Sequence, residues 1–117
     1  MNNRAPKLLF DAVAAIDAAV TFLAGTSQED YFTDAMRRSA VERQLEILGE
    51  ACSRLDKLDS QWLRTIPDIR LAIGLRNRII HGYDAVDDAM VYETVHVDLP
   101  NLREALANAL FQFDKTP

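Results

Sequence analysis

Cysteine is nearly missing from this 117-residue sequence, which carries one, Cys52. A single thiol excludes an intrachain disulfide and a cysteine-based zinc site, and it fits a reducing compartment. Histidine is scarce as well. Two imidazoles and one thiol are a poor basis for a His/Cys metal centre within one chain, and no metal is expected. Four glycines and four prolines are too few for a turn-rich β-sandwich or a Pro/Gly linker. Long apolar runs are absent too. The polar start, Met1 to Lys7, gives way to an apolar stretch broken by Asp11 and Asp17. That matches neither a signal-peptide core nor a membrane span of ~20 apolar residues, so the expected location is cytoplasmic, without membrane contact. Positive charge is in deficit, with a net charge of −5. Bulk charge therefore excludes a general nucleic-acid coat, and any RNA contact has to come from a local patch.

What is present is hydrophobic side chain, 49% of the residues, in one domain-sized chain spanning residues 1–117. Its period is helical. Leu9, Val13, Ile16, Val20 and Leu23 recur at spacings of 4, 3, 4 and 3, one stripe of an amphipathic helix near 9–24 that stops at Gly25. Ser27 and Asp30 outline a capping box for a short helical turn through Phe32. Thr33 or Asp34 caps a long helix near 34–57 with the stripe Val41, Leu45, Leu48, Cys52 and Leu55. Asp56 to Gln61 reads as a loop, with Trp62, Leu63 and Ile66 packing a short turn after it. Pro67-Asp68 starts the next helix through Ile69, Ala72, Ile73, Arg76 and Ile80, ended by Gly82. Asp87 or Asp88 caps a last helix carrying Val91, Val95, Leu99, Leu102, Leu106, Leu110 and Phe113, kinked near Asp98 by Pro100. The expectation is an all-α bundle of four or five helices.

Charge is unevenly spread. Arg64, Arg70, Arg76 and Arg78 face only Asp68 within residues 64–81, whereas residues 84–98 hold acids and no lysine or arginine. Solvated faces and helix-dipole preference account for much of this. Inside the basic stretch, however, polar groups gather at a helix end: Arg76, Asn77, Arg78, His81 and Tyr83. Asn77 and His81 share a face, while Arg76 and His81 lie ~140° apart on a regular helix. Gly82 lets the chain leave the helix, freeing His81 and Tyr83 to approach Arg76. Arginine offers a permanently charged fork for phosphate, and histidine transfers protons near neutrality. Such a set can cleave RNA without a metal, and a two-fold axis at this helix end would supply a second histidine.

The segment Arg76-Asn-Arg-Ile-Ile-His81-Gly-Tyr83 fits the R-x4-H-x-Y motif of the HepT toxins, a branch of the HEPN ribonuclease superfamily. Ile47-Leu-Gly-Glu-Ala51 resembles that family's glycine-glutamate-alanine signature, Gly74-Leu-Arg-Asn77 leads into the motif, and Asp98-Leu-Pro-Asn-Leu102 resembles its kinked last helix. The resemblance extends over about residues 7–112. It implies a homodimeric HEPN-type up-down bundle with a composite site at the subunit interface. It also implies metal-independent, cofactor-free endoribonuclease activity, with Arg76 and His81 catalytic and Asn77 as polar helper. A minimal nucleotidyltransferase antitoxin is the implied partner. It would silence the toxin by transferring AMP to Tyr83. The implied substrate is RNA, with tRNA one class cut by relatives; Arg70 and Arg78 are the added RNA-binding candidates. One departure is Pro67-Asp68, where relatives often carry proline–tryptophan; this alters packing and leaves the motif whole. The competing expectation is a non-catalytic helical subunit that scaffolds a nucleotidyltransferase complex, which the net charge of −5 favours.

Overall fold

The computed structural model describes residues 4–114; the first and last three residues of the 1–117 reading lie outside the described residues. The chain folds as α1 (Arg4–Leu23), α2 (Gln28–Thr33), α3 (Ala35–Leu58), α4 (Gln61–Thr65), α5 (Ile69–His81), a 3-10 turn at Tyr83–Ala85, α6 (Asp88–Val97) and α7 (Leu99–Asp114). No strand occurs among the described residues. Five helices of ten or more residues build the bundle, and α2 and α4 are short connectors.

Local chemistry sets most of the boundaries. α1 ends before Gly25, whose φ of 72° lies in the left-handed region that favours glycine. The Ser27 hydroxyl accepts the Asp30 N–H at 3.1 Å and opens α2. Of the two candidate caps for α3, Asp34 takes the role by accepting the Arg37 N–H at 3.0 Å. The Thr33 hydroxyl instead donates back to the carbonyls of Glu29 and Asp30. Asp87 rather than Asp88 caps α6, accepting from Met90 N–H at 3.1 Å. The expected break falls at Asp98, between α6 and α7. Pro100 is the second residue of α7, where a missing N–H costs little.

Three expectations need correction. The loop placed at 56–61 shrinks to Asp59 and Ser60, because α3 continues through Leu58. Asp56 and Lys57 are polar residues on the wet side of a helix, and their polarity resembles that of a loop. In α1 the buried line is Ala5, Leu9, Ala12, Ile16, Ala19 and Leu23. Val13 is only half-buried and Val20 is exposed, because one residue moves a side chain ~100° round the helix. Alanines take their place inside the bundle, where small side chains let helices close up. In the second half Ile80 and Phe113 are 38% and 41% exposed rather than buried, and Ile79 takes the inward position near the end of α5.

The α3 stripe Val41, Leu45, Leu48, Cys52 and Leu55 is buried as the periodicity requires. The buried side chains form one cluster running through α1, α3, α5, α6 and α7. Chain direction alternates along α1, α3, α5 and α7. Arg37 at the start of α3 donates to the Phe22 carbonyl at the end of α1, so these two run antiparallel. Further along, Gly49 of α3 packs on Ala72 and Arg76 of α5, and Arg43, earlier on α3, lines the same cleft as Arg76 and Ile80. At the far end Trp62 meets Phe113 of α7, with ring centroids 6.4 Å apart. The result is an up-down helical bundle in which α3 carries α5 on its flank.

Candidate active site at the end of α5

α5 presents two faces. Ile69, Ala72, Leu75 and Ile79 are buried and fix the helix against the core. Arg76 lies on the edge towards α3, held at close range by Gly49. A Cβ at residue 49 would stand 2.2 Å from Arg76 Cβ and 2.9 Å from the Ala72 carbonyl oxygen. Only glycine allows the two backbones to come this near.

The next residue of α3 completes the clamp. Glu50 Oε1 lies 3.1 Å from Arg76 Nη2, and its other oxygen accepts from Arg54 Nε at 2.8 Å. Arg54, and then Arg76, hold the Glu50 carboxyl below the usual carboxylate range. Arg76 also donates to the Asn77 side-chain oxygen at 3.3 Å. Its guanidinium is therefore positioned by Glu50 and Asn77 while its side chain remains 28% exposed. It opens into a cleft of about 280 Å³, with Leu8, Asp11, Ile47 and Ile80 among the lining residues.

His81 is the last residue of α5 and is exposed. Among the described residues it makes no hydrogen bond with Asn77 or Arg76 within the subunit. Its ring is thus available to a bound molecule. Gly82 follows with φ of −116°, a value open to any residue, so the expected backbone freedom is not used. Its requirement is space: a Cβ there would meet the Arg78 carbonyl oxygen at 3.0 Å. That carbonyl accepts the Gly82 N–H at 2.9 Å and closes the helix. Tyr83 then starts the 3-10 turn with its side chain 80% exposed, the largest polar aromatic surface on the molecule.

The remaining candidates separate. Arg70 and Arg78 line a different groove with Pro67, Leu71, Gly74 and Met90, on the side of α5 away from Arg76. His96 hydrogen-bonds through Nδ1 with the Tyr92 carbonyl at 2.9 Å and stacks on the Tyr92 ring, which fits a satisfied surface residue. Cys52 is buried, and burial pushes its thiol up to about 12. No group of three or more metal-ligating side chains occurs among the described residues. None of the helices is long and apolar enough to cross a membrane.

An arginine oriented for an anion, with an exposed imidazole and an exposed phenol at the end of the same helix, suits phosphate chemistry. The comparison with protein families agrees: the family described as "Ribonuclease HepT-like" matches residues 13–109. The chain belongs to the HepT-like family. The "Probable ribonuclease HepT" of Thermococcus cleftensis is 33% identical over 97 residues, covering 81% of this chain and 86% of the relative. "Putative RNase MJ0125" of Methanocaldococcus jannaschii is 30% identical over 96 residues, 82% of each chain. No solved structure gives a significant match.

Within this HepT-like bundle, Gly49 and Glu50 emerge as residues of the site. The sequence marked the glycine-glutamate-alanine block through resemblance, without a physical role for Gly49. A glycine inside a long amphipathic helix costs ~1 kcal/mol against alanine, and that cost signals a close approach. Which helix approaches could not be read from the spacing.

Proposed function

We propose that this HepT-like protein is a toxin endoribonuclease that cuts RNA without a metal, working as a homodimer and silenced by a minimal nucleotidyltransferase. The observation that carries the reading is the end of α5. Arg76 is oriented by Glu50 and Asn77 and open to a cleft. The His81 and Tyr83 side chains stand exposed beside the helix end.

In the reaction the RNA 2′-hydroxyl attacks the adjacent phosphorus, the bond from phosphorus to the 5′-oxygen breaks, and a 2′,3′-cyclic phosphate and a 5′-hydroxyl end result. One imidazole removes the 2′-proton and another protonates the leaving oxygen. Arg76 stabilises the charge that builds on the phosphate oxygens. A single subunit offers one histidine here, so two copies joined at this helix end supply both roles.

Silencing uses Tyr83. Its phenol oxygen attacks the α-phosphorus of ATP, pyrophosphate leaves, and the phenolic proton passes to solvent. The new phosphodiester brings a negative charge and a nucleoside to the place the RNA backbone needs beside Arg76. The high exposure of Tyr83 supports access by an enzyme of this kind.

The test is cleavage of labelled cellular RNA, tRNA included, in EDTA by wild type and by His81→Ala, after intact mass has shown Tyr83 free of AMP. Cutting by wild type alone is expected. Cutting by both points to a contaminating nuclease. No cutting by either, from unmodified protein, overturns the ribonuclease reading and favours the non-catalytic scaffold.

A further inference from the structure

The acidic chain carries a cleft of opposite sign beside the Arg76 site, distinct from the basic groove at Arg70 and Arg78. Arg4 and Lys7 on the first turns of α1, with Arg54 and Lys57 on the last turns of α3, line a cleft of about 640 Å³ whose only acid among its lining residues is Glu50. Leu8, Glu50 and Arg54 line this cleft and the Arg76 cleft alike, so the two are continuous. Antiparallel pairing of α1 and α3 brings these four cations together from opposite ends of the two helices.

We propose that this cleft is the track for the RNA strand flanking the scissile phosphate, with Lys7, Arg54 and Lys57 contacting backbone phosphates. The inference rests on the ribonuclease reading of Arg76 and His81. From Glu50, which grips Arg76, to Lys57 is two turns of α3, or ~10 Å. A strand leaving Arg76 along α3 therefore passes Arg54 and then Lys57, with Lys7 across the cleft.

The existing ion pairs leave these cations exchangeable. Lys7 pairs with Asp11 at 2.7 Å while 73% exposed, and Arg54 pairs with Glu50 while 64% exposed. Exposed pairs of this kind contribute little, so a phosphate can replace the carboxylate at small cost. Lys57 makes no ion pair among the described residues and adds only a through-space pull on Glu50. Contacts of this sort position a backbone without reading its bases. Arg70 and Arg78, on the other side of α5, are outside this path.

Binding of a labelled single-stranded RNA is measured by anisotropy in a His81→Ala background, which stops turnover. Lys7→Glu/Lys57→Glu is compared with the matched reversal Arg70→Glu/Arg78→Glu. The first pair is expected to raise Kd about tenfold or more at low salt, and the second to change it less than about twofold. The neutral pair Lys7→Gln/Lys57→Gln lowers the salt slope by about 1.4, the loss of two phosphate contacts at ~0.7 each. This pair also serves where the reversals fail to fold by circular dichroism. The track is overturned if the lysine pairs bind like their parent, if both reversals weaken binding equally, or if the parent binds no RNA. Cleavage by wild type is read separately. Loss of cleavage with the lysine effect intact removes the catalytic reading and leaves the RNA-binding cleft.

Discussion

Replacing Gly49 with alanine puts a methyl group where α5 already runs. The new Cβ would lie 2.2 Å from Arg76 Cβ and 2.9 Å from the Ala72 carbonyl oxygen. Carbon atoms in contact keep ~3.5–4.0 Å, so the helices have to part by more than ~1 Å or twist locally. The first neighbour is a Cβ and the second is backbone, so no flexible side-chain tip can swing aside. Overpacking of a core costs ~1–3 kcal/mol, and this geometry belongs at the upper end. Better helix propensity returns ~1 kcal/mol, leaving a net loss of ~2 kcal/mol. For a domain of this size that lowers Tm by roughly 8 °C, at ~4 °C per kcal/mol. Gly74→Ala is the matched control, since its added Cβ meets nothing within 4 Å. It is expected to stabilise by up to ~1 kcal/mol through propensity alone. Thermal and urea unfolding followed by circular dichroism give both values. If Gly49→Ala proves as stable as wild type, or both substitutions share a sign, the close approach of α3 and α5 is not what this glycine serves. The same displacement moves Arg76 against Glu50, so under the proposed function the variant is expected to cut RNA more slowly even at temperatures where it is fully folded.

Cys52 lies in the core with its thiol pushed up to about 12, so the native protein should stay unlabelled by a thiol-disulfide reagent at pH 8 and react fully in denaturant; rapid labelling of native protein would contradict the packing. Glu50 has a lowered pKa, so the stability it contributes is present at neutral pH and lost as the pH falls through its folded value, below the ordinary ~4.3. Glu50→Gln should therefore show a smaller drop in Tm between pH 7 and the acid range than wild type, and an unchanged acid slope would show that the Arg54 and Arg76 contacts do not stabilise the ionised carboxylate.

Much of the fold was legible because its causes are local. A period of 3.6 residues along Val41 to Leu55 identifies the buried side of α3 without knowledge of its neighbours. Ser27, Asp34 and Asp87 stop or start helices by bonding to N–H groups three residues on. Where several residues were equally apolar, the same logic failed. Val13 and Val20 match the period of α1 as well as Ala12 and Ala19 do, and hydrophobicity alone favours the valines. The inward line goes to Ala12 and Ala19, which share the core-facing side of α1 with Leu9, Ile16 and Leu23. Asp56 and Lys57 misled in the opposite sense, since a wet helix face and a loop share a composition.

The sequence by itself determined the helices, the stripe of α3, the break at Asp98, and the presence of arginine, histidine and tyrosine at one helix end, because each depends on residues within a turn or two of one another. Only the tertiary structure decided that Glu50 grips Arg76, that Gly49 is the point of contact between α3 and α5, and that Arg70 and Arg78 face elsewhere. It likewise brought Lys7 and Lys57, fifty residues apart, to one basic cleft. These pairings follow from the direction and rotation of one helix against another. That geometry is fixed by how side chains interlock across the interface, and no spacing along a single helix records it.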